Sequence, residues 1–110
     1  MESHKIKLWI DDIRPAPAGY YWAKSVHEAK IYCCQHLSPG HILKIDEFNL
    51  DYDAGDYGPP DYIELLKWLE EKQYCENWHI NGVFKIHSQN VVGRMNMEAI
   101  CKKNGWTIVP

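Results

Sequence analysis

The chain has 110 residues, the length of one domain. Hydrophobic residues at 45% and charged residues at 25% match a globular protein that can bury an ordinary core without disulfides or a structural metal. A single acidic block on an otherwise mildly basic domain excludes a simple nucleic-acid-coating protein, and no uncharged apolar run of ~18 residues exists to span a membrane.

The expectation is one domain over residues 1–110. Its charge is unevenly spread. Between Lys44 and Lys67 there is no Lys or Arg, and Asp46, Glu47, Asp51, Asp53, Asp56, Asp61 and Glu64 give that window −7. The remainder carries 12 basic and 8 acidic residues, a surplus of +4. The cysteines are Cys33, Cys34, Cys75 and Cys101, with no C-x-x-C spacing. Neither a zinc ribbon nor a redox motif follows. The first 15 residues hold no signal-peptide core, so reduced thiols and a cytoplasmic location are expected.

Residues 6–10 alternate as a strand (Ile6, Leu8 and Ile10 on one side, Trp9 on the other) that delivers Asp11 and Asp12. Pro15, Pro17 and Gly19 then make loop. Residues 20–22 are aromatic enough for a short strand. The nine-residue link before them is below the dozen that a parallel crossover usually takes, so their pairing stays open. Ser25 and Glu28 form a capping box that opens a helix to about residue 37, with Val26, Ala29, Cys33 and Leu37 inward. Ser38, Pro39 and Gly40 end it.

Residues 42–50 read as one strand that delivers Asp51, and residues 51–60 as loop. A second helix to about residue 72 places Tyr62, Leu65, Leu66 and Leu69 on one face. Asn81 and Gly82 turn the chain into a strand at 83–86 that ends at His87 and Ser88. A third helix runs to about residue 103 with Met97, Ile100 and Cys101 inward, and Asn104-Gly105 stops it. A last strand covers 106–109. Trp9, Trp68 and Trp106 are expected in or near the core. Tyr20, Tyr21 and Trp22 are expected to pack against the loop, with stacking on a base as the other use of such rings.

Strands alternating with helices predict an α/β fold with a mostly parallel sheet of four or five strands. In such sheets ligands bind at the C-terminal strand ends. Asp11, Asp12, Asp51, His87 and Ser88 all fall there. Crowded carboxylates repel unless a cation joins them, and hard oxygen donors favour Mg²⁺ or Mn²⁺. The candidate metal ligands are therefore Asp11, Asp12 and Asp51, with Asp53 as a possible fourth. An EF-hand reading of the Asp51 loop fails, because its sixth position is Asp56 and its twelfth is Tyr62.

Magnesium is commonly completed by phosphate. The start of the third helix offers N–H groups to an anion, with Ser88, Asn90, Gly93 and Arg94 as candidate phosphate-binding residues. Ser88 or Asn90 serves equally as the helix cap. His87 is the candidate general acid or base, with Asp51 as its catalytic companion.

The motifs resemble the receiver domains of two-component response regulators, and more closely the cyclic-phosphate-processing receiver domain family. The first motif reads Leu8-Trp9-Ile10-Asp11-Asp12-Ile13-Arg14-Pro15, the second Leu50-Asp51-Tyr52-Asp53-Ala54-Gly55, and the third His87-Ser88-Gln89-Asn90-Val91-Val92-Gly93-Arg94 with Met97 beyond. The chain departs from the family pattern at Tyr52, where the family has histidine, at Ala54 and at Val91. The resemblance implies a three-layer, flavodoxin-like receiver fold whose first helix is reduced or absent. It also implies metal-dependent processing of phosphate esters, with cyclic phosphates of nucleotides or RNA ends as substrates and a role in RNA repair. The alternatives are a signalling receiver phosphorylated on Asp51, against which the last strand lacks the usual Lys, and an inactive interaction module. The expected partner is a phosphate-containing small molecule or nucleic-acid end, with no membrane.

Overall fold

The computed structural model describes residues 5–52 and 61–110. In chain order it runs β1 (Lys7–Ile10), β2 (Tyr20–Ala23), α1 (Val26–Gln35), β3 (Leu37–Ser38), β4 (Ile42–Leu43), β5 (Glu47–Leu50), α2 (Ile63–Cys75), β6 (His79–Ile80), β7 (Val83–Ile86), α3 (Val91–Lys103) and β8 (Thr107–Ile108). The main sheet has the order β2-β1-β5-β7-β8, with every pairing parallel. A smaller sheet, β3-β4-β6, joins an antiparallel hairpin to one parallel strand.

Local chemistry explains the helices. Ser25 Oγ accepts from the Glu28 N–H at 3.1 Å, while Glu28 reaches back to the Lys24 N–H at 2.8 Å, a capping box displaced by one residue. Val26, Ala29 and Cys33 are the buried stripe of α1. Tyr62, Leu65, Leu66 and Leu69 are fully buried, and the Tyr62 hydroxyl donates to the Lys24 carbonyl at 2.5 Å, tying the start of α2 to that of α1. Asn90 caps α3, and Gly105 at φ +74° turns the chain out of it. The four cysteines are free; Cys33 and Cys101 are buried, and burial pushes both thiols up, Cys101 to about 12.

The parallel α/β receiver-type fold expected from the sequence is present, with no helix between β1 and β2. One detail left open is settled, and two others differ. First, β2 pairs parallel to β1 across the nine residues 11–19. The dozen-residue rule assumes a helix in the crossover, whereas nine extended residues reach roughly 30 Å, ample for one short strand.

Second, the expected single strand 42–50 divides into β4 and β5, which belong to different sheets. The break sits where Gly82 approaches the Ile45 carbonyl so closely that a Cβ would lie 2.4 Å from its oxygen. β6, paired with β4, has no counterpart in the sequence reading.

Third, the layering differs from the three layers implied by the resemblance. The crossovers carrying α1, α2 and α3 (β2 to β5, β5 to β7, β7 to β8) all move the same way across the sheet. Right-handed crossovers then put all three helices on one face. Burial agrees: Leu8, Ile10, Phe48, Leu50 and Phe84 join one core cluster with the helix stripes. Only β1 to β2 moves the opposite way, and it carries a loop. Among the described residues the second face has no helix. No described helix is long and apolar enough to cross a membrane.

Candidate functional site

β1 and β5 are adjacent and in register, so Ile10 lies beside Leu50 and the next residues emerge together. This brings Asp11, Asp12 and Asp51 to one place, where one ligand oxygen from each lies within 4.8 Å of the others. Two parallel strands of different sequence separation thus supply three carboxylates to one edge. Asp53 falls outside the described residues.

Asp11 is the organising residue and is 1% exposed. Its Oδ1 accepts from the N–H groups of Ile13 at 2.9 Å and Arg14 at 3.0 Å, which folds the loop back over the strand end. Its Oδ2 meets His87 Nε2 at 2.9 Å. Burial alone would raise the Asp11 carboxyl, but the Arg14 and Ile13 amides and His87 together hold it below its ordinary value. Asp51 accepts from the Tyr52 N–H at 2.7 Å through Oδ1.

His87 follows β7, the next strand beyond β5. Its Nδ1 lies 2.5 Å from Asn49 Oδ1, and its ring stacks on Trp9 at 4.0 Å between centroids and 7° between planes. Burial pushes His87 below its ordinary 6.5, opposed by Asp11. The neutral ring satisfies both neighbours when its single proton sits on Nε2 toward Asp11 and the Asn49 amide turns its nitrogen to Nδ1. Both ring nitrogens are then engaged, so His87 first orients Asp11. It can exchange a proton with a substrate only by giving up one of these partners.

His87 also predicts a pH response. Its folded pKa is depressed, so the unfolded chain takes up the proton first as pH falls below 6.5. Its contribution to stability is complete above that point and is lost as pH falls toward the folded pKa. Asp11, also depressed, loses its contribution in a lower window, below 3.8. The urea midpoint is therefore expected to drop between about pH 7.5 and about pH 5.5. His87→Gln, which keeps an amide donor but cannot titrate, is expected to shrink that drop. An unchanged pH dependence in His87→Gln would contradict the assignment.

Beyond His87, the chain turns into α3. Ser88 is 5% exposed, and its Oγ accepts from the Asn90 N–H at 3.1 Å. Asn90 Oδ1 accepts from the Gly93 N–H at 2.9 Å, so Asn90 acts as the cap. Gly93 is buried against the Tyr52 ring, and a Cβ there would lie 2.4 Å from Tyr52 Cγ. Its missing side chain accommodates Tyr52, which packs on the core. Arg94 is half-buried in the first turns of α3, and its side chain has no hydrogen-bond partner among the described residues.

Three contributors escaped the sequence reading. Arg14 Nη1 approaches the His87 carbonyl at 3.4 Å, so a guanidinium from the β1–β2 loop stands at the edge. Trp9, expected in or near the core, lies instead on the helix-free face as the platform under His87. Its indole N–H donates to the Arg14 carbonyl at 2.8 Å. Asn49, on the same face, holds His87 from the other side. Arg14 was visible in the D-D-x-R spacing of the first motif, whereas Trp9 and Asn49 are joined to the site only by strand register.

No curated protein and no solved structure matches this chain. A family model does, over residues 6–103, and its description is the cyclic-phosphate processing receiver domain. The matched span includes both strand ends that carry the carboxylates, the His87-Ser88 turn and all of α3. With the parallel sheet, its absent first helix and its acidic C-terminal edge, the chain belongs to the cyclic-phosphate processing receiver domain family.

Proposed function

We propose that the chain binds and processes phosphate esters, most directly cyclic phosphates of nucleotides or RNA ends, with one divalent cation at its carboxylate edge. The observation that carries this reading is the convergence of Asp11, Asp12 and Asp51 within 4.8 Å. Three hard oxygen donors in a partly open setting fit Mg²⁺ or Mn²⁺. When bound, such an ion offsets phosphate charge and polarises the ester.

The chain's own residues have separable roles. The Ile13 and Arg14 amides and His87 fix the direction of the Asp11 carboxylate. Asp12 and Asp51 complete the donor set. Ser88 supplies a hydroxyl, and the first amides of α3 supply dipole and N–H donors for phosphate oxygens. Arg14 and Arg94 are the nearby guanidinium candidates. His87 can hand its Nε2 proton onward once Asp11 is engaged elsewhere.

The test is turnover of cyclic-phosphate nucleotides with Mg²⁺ or Mn²⁺ by wild type, Asp51→Asn and His87→Ala. Asp51→Asn is expected to lose about a hundredfold or more in rate. His87→Ala is expected to lose about ten- to a hundredfold, because it removes the support of a ligand. Equal rates in all three proteins would overturn the proposal.

A further inference from the structure

The phosphate edge leaves the helix-free face of the main sheet without a role. Register defines that face as two rows. The row farther from the carboxylates is Tyr20, Lys7, Glu47, Val83 and Thr107. The nearer row is Trp22, Trp9, Asn49 and Lys85, and it runs up to the His87 ring stacked on Trp9. Three of these nine side chains are large aromatics, none of which belongs to the buried core.

The charges on the face are predominantly positive. Lys7 Nζ lies 5.1 Å from the Tyr20 ring centre, and Lys24 Nζ lies 4.6 Å from that of Trp22. Lys85 is exposed. The one acid in the two rows, Glu47, is engaged by the Tyr20 hydroxyl. Arg14 stands where the face meets the carboxylate edge.

We propose that this face binds single-stranded nucleic acid, with bases against Trp22 and the Trp9–Tyr20 pair and the backbone met by Lys7, Lys24 and Lys85. A sheet face bearing aromatic side chains interleaved with lysines suits unpaired bases, which stack on rings while cations follow the phosphates. A protein partner would need an aliphatic surface, and Val83 is the only aliphatic residue in either row. Two copies placed face to face would oppose the same lysines. The inference rests on the phosphate-ester reading in one respect: the track leads to the carboxylate edge, so a bound strand would present its terminal phosphate there.

The experiment is anisotropy of a labelled single-stranded RNA of about ten nucleotides with a 3′-hydroxyl end, in EDTA, so that no cation at the carboxylate edge contributes. Wild type is expected to bind with an affinity that falls steeply with salt. Trp22→Ala is expected to weaken binding about tenfold. Lys85→Glu, at an exposed position that does not support the fold, is expected to weaken binding and flatten the salt dependence. Binding unchanged in both variants would overturn the proposal. So would no binding by wild type, or self-association that Lys85→Glu abolishes, which would assign the face to a second copy. The two readings separate in wild type. Turnover of a cyclic-phosphate mononucleotide without RNA binding overturns the face alone. RNA binding without turnover overturns the edge alone.

Discussion

Asp11→Ala is expected to lower stability by about 2–3 kcal/mol and to abolish divalent-ion binding, whereas Asp11→Asn should lose the ion at a cost of about 1 kcal/mol or less. The difference follows from which atoms do what. Asp11 Oδ1 is the acceptor for the Ile13 and Arg14 amides, and Oδ2 faces His87. Alanine leaves two amides and a ring N–H without their acceptor in a mostly buried place. Each such loss costs on the order of 1 kcal/mol or more, partly offset by relief of repulsion from Asp12 and Asp51. Asparagine keeps an oxygen for the amides and removes the charge. Urea denaturation of both variants, beside an ion titration, separates the structural role of Asp11 from its chemical one. Equal destabilisation by Asn and Ala would show that the charge, not the hydrogen bonding, holds the loop.

Phe48→Ala is expected to cost about 3–5 kcal/mol. Phe48 is the inward residue at the middle of the central strand, fully buried, and stacked on Phe84 at 4.6 Å between centroids. Phe84 in turn stacks on Trp106 at 4.9 Å, so one ring supports a column that runs toward the sheet edge. Among the described residues the buried hydrophobics form one core cluster, so no second core compensates. A domain of this size has about 5–15 kcal/mol in total, so the variant is expected to be marginal or unfolded at physiological temperature. The urea midpoint is the measurement. A loss below about 1 kcal/mol would mean that the column is not the centre of the core.

Much of the fold was legible in the sequence because its elements carry local signals. The Ser25–Glu28 box, the Tyr62–Leu69 stripe and Gly105 mark helix starts, faces and ends without reference to the rest of the chain. The strand ends were legible for the same reason, and with them the grouping of Asp11, Asp12 and Asp51. What was not legible depends on contacts between distant segments. Nothing in Lys44-Ile45-Asp46 signals a break; the break exists because β4 finds β6 and β5 finds β7, with Gly82 between. A two-residue strand such as β6 is too short to show a period. The single helical layer follows from the order of strands in the sheet, which periodicity does not encode. Trp9 and Asn49 become site residues only through their register with each other and with the strand that carries His87.

The acidic window between Lys44 and Lys67 also resolves into separate tasks. Asp46 accepts from the Ile6 N–H at 2.7 Å, Glu47 bonds Tyr20, and Glu64 pairs with Lys67 at 3.0 Å on the surface. Asp51 is the described member of that window that reaches the site, where it meets two acids from the other end of the chain. The charge that matters is gathered by strand pairing rather than by sequence proximity.

The central claim is that these three carboxylates form one cation site. Calorimetric titration of Mg²⁺ and Mn²⁺ into wild type and Asp51→Asn tests it most directly. The account predicts one ion per chain in the wild type, and none in Asp51→Asn at the same concentrations while the fold is retained. A wild type that takes up no divalent ion, or an Asp51→Asn variant that binds as tightly as the wild type, would contradict it.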